Sequence, residues 1–168
     1  MVANWAARRG LAGVEFTIAI PGSVGGGVRM NAGAHGGEML DTLVSATVLD
    51  LNQVAITERP AAAHDMTYRH SNLADTDVVL EAAFELRADE ESAVRARMDG
   101  YRKHRAETQP GALQNAGSTF KNPPGDSAGR LVEASGLKGF RVGTVAVSEL
   151  HANFFVADDG ARAQDVFD

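Results

Sequence analysis

The stretch IPGSVGGGVRMNAGAHGGE, residues 20–38, places seven glycines in nineteen positions. Glycine is entropically costly inside helices and strands, so such density marks either a flexible linker or main chain that must approach something closely. A linker would be dominated by small polar residues. Here Ile20, Val24, Val28 and Met30 interleave with the glycines, and apolar segments lie on both sides. The stretch therefore reads as an ordered loop inside a domain. Consecutive glycines let several N–H groups converge on an anion, forming a nest for phosphate or diphosphate. A tight corner with no ligand is the competing reading.

Known phosphate loops do not fit. No Lys-Ser or Lys-Thr follows a glycine at the Walker spacing, and no G-x-G-x-x-G joins a strand to a helix. Ser118, in NAGSTF, lacks the flanking glycines of a nucleophile elbow. The chain has no cysteine, which excludes disulfides, thiolate metal sites and a cysteine nucleophile together. Its histidines, at 35, 64, 70, 104 and 151, form no H-x-x-x-H pair, so no metal site is expected.

The 168 residues, 44% hydrophobic, suit one ordinary domain or two small lobes. A net charge of −6 argues against a nucleic-acid or anionic-membrane partner. The basic run Arg95 to Arg105 follows Asp89, Glu90 and Glu91. Acid before base is what a helix dipole favours, so this reads as a solvated helix rather than a binding patch. No apolar run approaches the roughly 20 residues that span a bilayer, no signal-peptide pattern is present, and a cytoplasmic protein fits best. MVANWAARRGLAG reads as a helix end closed by Gly10 or Gly13, and GARAQDVFD as the start of another helix near Gly160. Both ends read as cut from something longer.

Between them, TLVSATVLDL reads as a covered strand. Residues 78–86 alternate, placing Val78, Leu80, Ala82, Phe84 and Leu86 inward and Glu81 and Glu85 outward. Residues 89–106 read as one helix, with Asp89 as N-cap, Val94, Met98, Tyr101 and Arg105 on one stripe, and Pro110 and Gly111 beyond its end. The loop QNAGSTFKNPPGDS leads to a short helix from about Ala128 to Ser135, with Leu131 and Val132 buried and Gly136 at its C-terminal side. ANFFVA reads as a brief strand. The composition changes near residue 88, which suggests two parts, 1–88 and 89–168.

Four strings occur in this order: the glycine stretch, YRHSNL (68–73), NAGSTFKNP (115–123) and VSELHANFFV (147–156). Together they resemble the UDP-N-acetylenolpyruvoylglucosamine reductase family, over essentially the whole chain. The YRHS and SELHANF forms look like the family's second type, which lacks a substrate-covering insertion. The resemblance implies an α+β fold: part of an FAD-binding domain of the FAD-linked oxidase (vanillyl-alcohol oxidase-like) type over 1–88, then a smaller, incomplete α/β substrate-binding domain over 89–168. It implies FAD as cofactor, NADPH as reductant and a UDP-sugar enolpyruvyl ether as substrate.

Carried over by position, Pro21, Gly22, Ser23, Val24, Gly25 and Gly26 would contact FAD through their backbone, with Asn31, Ala32 and Gly33 forming the following turn. Arg69 would stabilise the charge that develops beside the substrate carboxylate, and Ser118 would supply the proton that completes the lactyl ether. Without the family, Arg69 reads as a surface ion pair and Ser118 as a hydroxyl capping a turn. Tyr68, Lys121, Asn122 and His151 would contact substrate, with Glu149 and Arg130 as weaker candidates. Gly27 stands where many family members have alanine. The family's N-terminal FAD lobe and the late glutamate that completes its catalytic set find no counterpart, so the intact protein is expected to be the reductase and this chain a poor catalyst. Two alternatives remain: another FAD-linked oxidoreductase, and a non-catalytic nucleotide-sugar binding module.

Overall fold

The computed structural model describes residues 2–111 and 113–168. The chain divides into two units, one ending at Arg102 and one spanning Lys103–Asp168.

The first unit begins with helix α1 (Val2–Ala7), which Gly10 closes in the left-handed conformation at φ +63°. Alanine is excluded at Gly10, because its Cβ would stand 2.8 Å from the carbonyl oxygen of Asp89. Strand β1 (Leu11–Ala12) pairs antiparallel with a later strand, and a 3₁₀ turn (Glu15–Ala19) leads into the glycine stretch. That stretch is not wholly loop: Val24–Arg29 forms helix α2. Glycine's poor helix propensity is overcome by a cap and by packing. The Ser23 hydroxyl accepts from the N–H of Gly26 at 3.1 Å, and Val28 is fully buried. The bare faces of Gly25 and Gly27 meet Val79 and Met39, where added Cβ atoms would lie 3.3 and 2.5 Å from side-chain carbons.

A small hairpin follows, β2 (Gly33–Ala34) with β3 (Gly37–Glu38). The main sheet is antiparallel in the order β5-β4-β6, with β4 at Leu43–Asp50, β5 at Ala55–Pro60 and β6 at Asp77–Phe84. As a central strand β4 buries Leu43, Ser45, Ala46 and Val48. The simple alternation expected over 78–86 fails. Thr47 pairs with Glu81 but Val48 with Val79, so Leu80 is an extra residue that shifts the facing pattern. Val79, Ala82 and Phe84 pack on the core, whereas Val78 and Leu80 are 42% and 47% exposed.

Strand β7 (Arg87–Ala88) pairs with β1 and precedes helix α3 (Glu91–Thr108). The helix starts two residues later than expected. Asp89 lies before it, and its carboxylate engages Arg97 rather than acting as the first helical cap. The expected stripe holds: Val94 and Met98 are buried, with Tyr101 packed beside them against Ala3, Ala7, Ala12 and Ile18. Arg95 and Arg102 pair within the helix, with Glu91 and Asp99, whereas Arg97 reaches Glu15 and Asp89 outside it.

In the second unit, helix α4 (Ala128–Ala134) is capped by Ser127 and followed by Gly136 at φ +70°. Its buried residue is Ala128; Leu131, expected inside, is 41% exposed and Val132 half-buried. A helix of seven residues shows its small N-terminal face to the core and leaves its larger side chains outside. An antiparallel sheet runs β10-β9-β8, with β8 at Arg141–Val142, β9 at Val145–Val147 and β10 at Phe155–Ala157. Helix α5 (Ala163–Phe167) starts three residues beyond Gly160. Both units are α+β, with antiparallel sheets. Among the described residues, no helix is long and apolar enough to cross a membrane.

Candidate functional site

The glycine stretch borders a cavity of about 620 Å³, within the range of small-molecule and cofactor sites. Pro21, Gly22, Ser23, Val24, Gly26, Gly27, Ala32 and Met39 are among the residues that line it. Gly22, at φ +126°, turns the chain into α2 with open space where a Cβ would stand. The convergent donors thus come from the first turn of a helix rather than from a nest. The N–H of Gly26 is taken by Ser23 Oγ and that of Gly27 by the Ser23 carbonyl, whereas the first N–H groups of any helix lack partners within it.

The other glycine-stretch candidates stand elsewhere. Gly25 faces Val79. Asn31 is fully buried at φ 40°, and its amide is spent inside the chain: Nδ2 donates to the Thr67 carbonyl at 3.1 Å and Oδ1 accepts from the Leu40 N–H at 3.0 Å. Gly33 sits at the base of the hairpin, where its carbonyl accepts from Arg69.

Arg69 lies in a tight turn in which Thr67 and His70 exchange two backbone hydrogen bonds at 3.1 Å. Its φ of 54° is a conformation that arginine adopts only when its surroundings over-determine it. They do so here. The guanidinium donates to the carbonyls of Asn31 (3.3 Å) and Gly33 and lies 4.9 Å from the centre of the Tyr68 ring. Arg69 and Tyr68 line a second hollow, about 420 Å³, with the hairpin and the carboxylates Glu38 and Asp41. This cation is half-buried and held by the main chain of the first unit.

In the second unit, Ser118 is exposed and follows Gly117, whose φ is +87°. The backbone of Ser118 bridges to Phe154. Lys121 and Asn122 are exposed, and the Asn122 Oδ1 accepts from the N–H of Ala128 at the start of α4, 3.0 Å away. His151 is half-buried beside the Phe154 ring, and burial holds its imidazole below the ordinary histidine range. Its Nδ1 accepts from the N–H of Asn153 at 3.2 Å. Arg130 is engaged with Asp126, whose carboxyl it holds down at about 2.

The structure thus brings six of the nine glycine-stretch candidates to one cavity, Arg69 and Tyr68 to a second hollow in the same unit, and Ser118, Lys121, Asn122 and His151 to the other unit. Sequence reasoning missed Asn153. It is 3% exposed and its amide makes two hydrogen bonds to Phe120, at 2.9 Å each. The signal available was an amide between apolar residues in HANFF, a position where an unpartnered polar group would be costly. Among the described residues, no three His, Asp or Glu side chains gather as a metal site.

Residues 109–168 match the family model of the UDP-N-acetylenolpyruvoylglucosamine reductase C-terminal domain. The UDP-N-acetylenolpyruvoylglucosamine reductase 2 of Symbiobacterium thermophilum is 46% identical over 166 residues, covering 98% of this chain and 54% of that protein. The UDP-N-acetylenolpyruvoylglucosamine reductase of Trichlorobacter lovleyi is 44% identical over 164 residues, with the same coverage. The crystal structure of the Thermus caldophilus reductase superposes with a TM-score of 0.90 at 39% identity, covering 99% of this chain and 61% of that one. The chain is therefore homologous to the UDP-N-acetylenolpyruvoylglucosamine reductases, in sequence and in fold, and spans about half the length of the curated relatives it matches.

Proposed function

We propose that this chain is the part of a UDP-N-acetylenolpyruvoylglucosamine reductase that flanks the flavin and holds the substrate, in a protein that reduces UDP-N-acetylglucosamine enolpyruvate to UDP-N-acetylmuramate with NADPH during cytoplasmic peptidoglycan precursor synthesis. Residues 1–88 would complete an FAD-binding domain of the vanillyl-alcohol oxidase-like type, and 89–168 would form most of the substrate-binding part. The observation that carries this reading is the 620 Å³ cavity lined by Pro21, Gly22, Ser23, Val24 and Gly26, where backbone can approach a ligand without side-chain obstruction. It is supported by the similarity to reductases along 98% of the chain.

When bound, FAD supplies hydride transfer, from NADPH to the terminal carbon of the enolpyruvyl group. The chain's own residues do the rest. Ser23 and Val24, on the cavity, would offer backbone donors to the diphosphate, with Asn31, Ala32 and Gly33 shaping the turn beyond. Arg69, pinned by the Asn31 and Gly33 carbonyls, keeps a fixed positive charge for the substrate carboxylate and the enolate that forms next to it. Ser118 Oγ would give a proton to the carbon beside the carboxylate, which hydride addition at the terminal carbon leaves as a strongly basic enolate. His151, held neutral by burial, would serve as a hydrogen-bond donor to substrate, alongside Tyr68, Lys121 and Asn122.

The test uses the intact protein that carries this chain. FAD titration is expected to give bound, protein-quenched flavin, and NADPH is expected to bleach it. Reoxidation is then followed after adding enolpyruvyl UDP-N-acetylglucosamine. In a Ser118→Ala variant the bleaching step should survive and the substrate-dependent reoxidation should stop. Binding of UDP-sugar by calorimetry with no flavin bound would instead favour a nucleotide-sugar module, and survival of both half-reactions in the variant would remove Ser118 from the mechanism.

A further inference from the structure

Ser118 lies in a run, residues 113–123, that belongs to no helix or strand, yet a proton donor must be placed to within a fraction of an ångström. What holds it lies across from it. The Asn153 side chain accepts from the Phe120 N–H through Oδ1 and donates to the Phe120 carbonyl through Nδ2, both at 2.9 Å. The Asn153 carbonyl accepts from the Thr119 N–H at 2.8 Å. One residue therefore engages three main-chain groups in the two positions that follow Ser118. On the near side, Gly117 is fixed by its N–H bond to the Asn115 carbonyl oxygen of the side chain, at 3.0 Å.

Asn153 also reaches the other candidate. Its N–H donates to His151 Nδ1, which in a neutral ring leaves the proton on Nε2 and makes that nitrogen a donor. Helix α4 closes the corner with bare backbone: a Cβ on Gly129 would lie 3.2 Å from His151 Cε1 and 3.7 Å from Asn153 Cβ. A buried amide in this place is chemically specific. Aspartate could accept from Phe120 but not donate to it, and alanine could do neither while leaving the Phe120 groups unsatisfied.

We infer that Asn153 is a positioning residue: its side chain clamps residues 118–120 so that the Ser118 hydroxyl faces its acceptor, while its backbone N–H, which any residue there would keep, fixes the tautomer in which His151 presents Nε2–H. The catalytic consequence rests on the reading of Ser118 above; the clamp does not. Two measurements separate them.

The first is amide hydrogen exchange on the chain without flavin. Asn153→Ala should speed exchange at Phe120 at least tenfold while leaving Val147 and Val156 in the three-stranded sheet unchanged, and Asn153→Asp, which retains the acceptor, should fall between. Unaltered exchange at Phe120 in both variants overturns the clamp. The second is the pair of half-reactions on the intact protein loaded with FAD. Asn153→Ala should slow substrate-dependent reoxidation about 10- to 100-fold, the penalty of a misplaced group, and should leave bleaching by NADPH unchanged. A merely structural residue would slow both half-reactions alike, and that result overturns the positioning role. If Ser118→Ala alone leaves reoxidation unchanged, the reading of Ser118 fails and takes the catalytic consequence with it, and exchange still decides the clamp.

Discussion

Replacing Arg97 with methionine removes the centre of an ion cluster that ties the entry to the glycine stretch onto helix α3. Arg97 contacts Glu15 at 2.8 Å and Asp89 at 2.6 Å, and the Glu15 side chain is only 9% exposed. Glu15 also accepts from the Gly13 N–H at 2.5 Å. Removing one partner of a fully buried pair costs about 3–5 kcal/mol. Arg97 retains 34% of its exposure and Asp89 27%, so water screens part of the cluster. We expect a loss of ~2 kcal/mol at neutral pH after that discount, read as a lower urea midpoint with an unchanged slope.

The pH dependence carries the sharper test. Burial, the largest influence on Glu15, pushes its carboxyl up, but the Gly13 N–H and Arg97 together hold it below 4.5. A lowered carboxyl stabilises the fold above its unfolded value, and that contribution is lost as pH falls through the folded value. Without Arg97 part of that pull is lost and the carboxyl moves up from its present value, so the variant draws less stability from ionised Glu15 above that value. The gap between the two proteins should be widest near neutrality and narrow toward about pH 4, where an ordinary glutamate is half protonated. A gap below ~0.5 kcal/mol at pH 7, or one that does not change with pH, would refute the reasoning.

Two glycines should respond in opposite directions to alanine. At Gly33 the new Cβ would meet the Gly37 carbonyl oxygen at 2.7 Å and Glu38 Cβ at 2.8 Å, both on the opposing hairpin strand, so thermal unfolding should show a loss of about 1–3 kcal/mol. Gly100 lies inside α3 with nothing within 4 Å, and alanine there should gain about 0.5–1 kcal/mol by helix propensity alone. Arg130→Gln should release the Asp126 carboxyl from about 2 toward 3.8, as read by carbon NMR titration of that side chain.

Local signals in the chain carried far. The Val94, Met98, Tyr101 stripe predicted a helix packed on one side, and Gly10 and Gly136 marked left-handed helix stops, because spacing and backbone freedom are properties of a few adjacent residues. The order of four short strings pointed to the reductases, and gathered Pro21 to Gly26 and Asn31 to Gly33 as cofactor candidates, six of which line one cavity while Gly25, Asn31 and Gly33 do not. Features that depend on a distant partner were not legible. A helix through Val24–Arg29 is disfavoured by its three glycines until Val79 and Met39 come close enough to require them. The extra residue at Leu80 inverts the facing of Val78 and exists only in the pairing of β6 with β4.

The amino-acid sequence by itself determined the kinship of this protein and the kinds of groups it brings to a site, since motifs survive as letters in order. The tertiary structure alone decided which of those groups are spent on the chain. Asn31 and Asn153 look alike as single amides among apolar neighbours. One proves to knot the glycine stretch to the Arg69 turn and the other to hold the Ser118 loop. A side-chain amide reads its partners across more than thirty residues of chain, a distance at which hydrogen bonding is set by packing and not by sequence proximity.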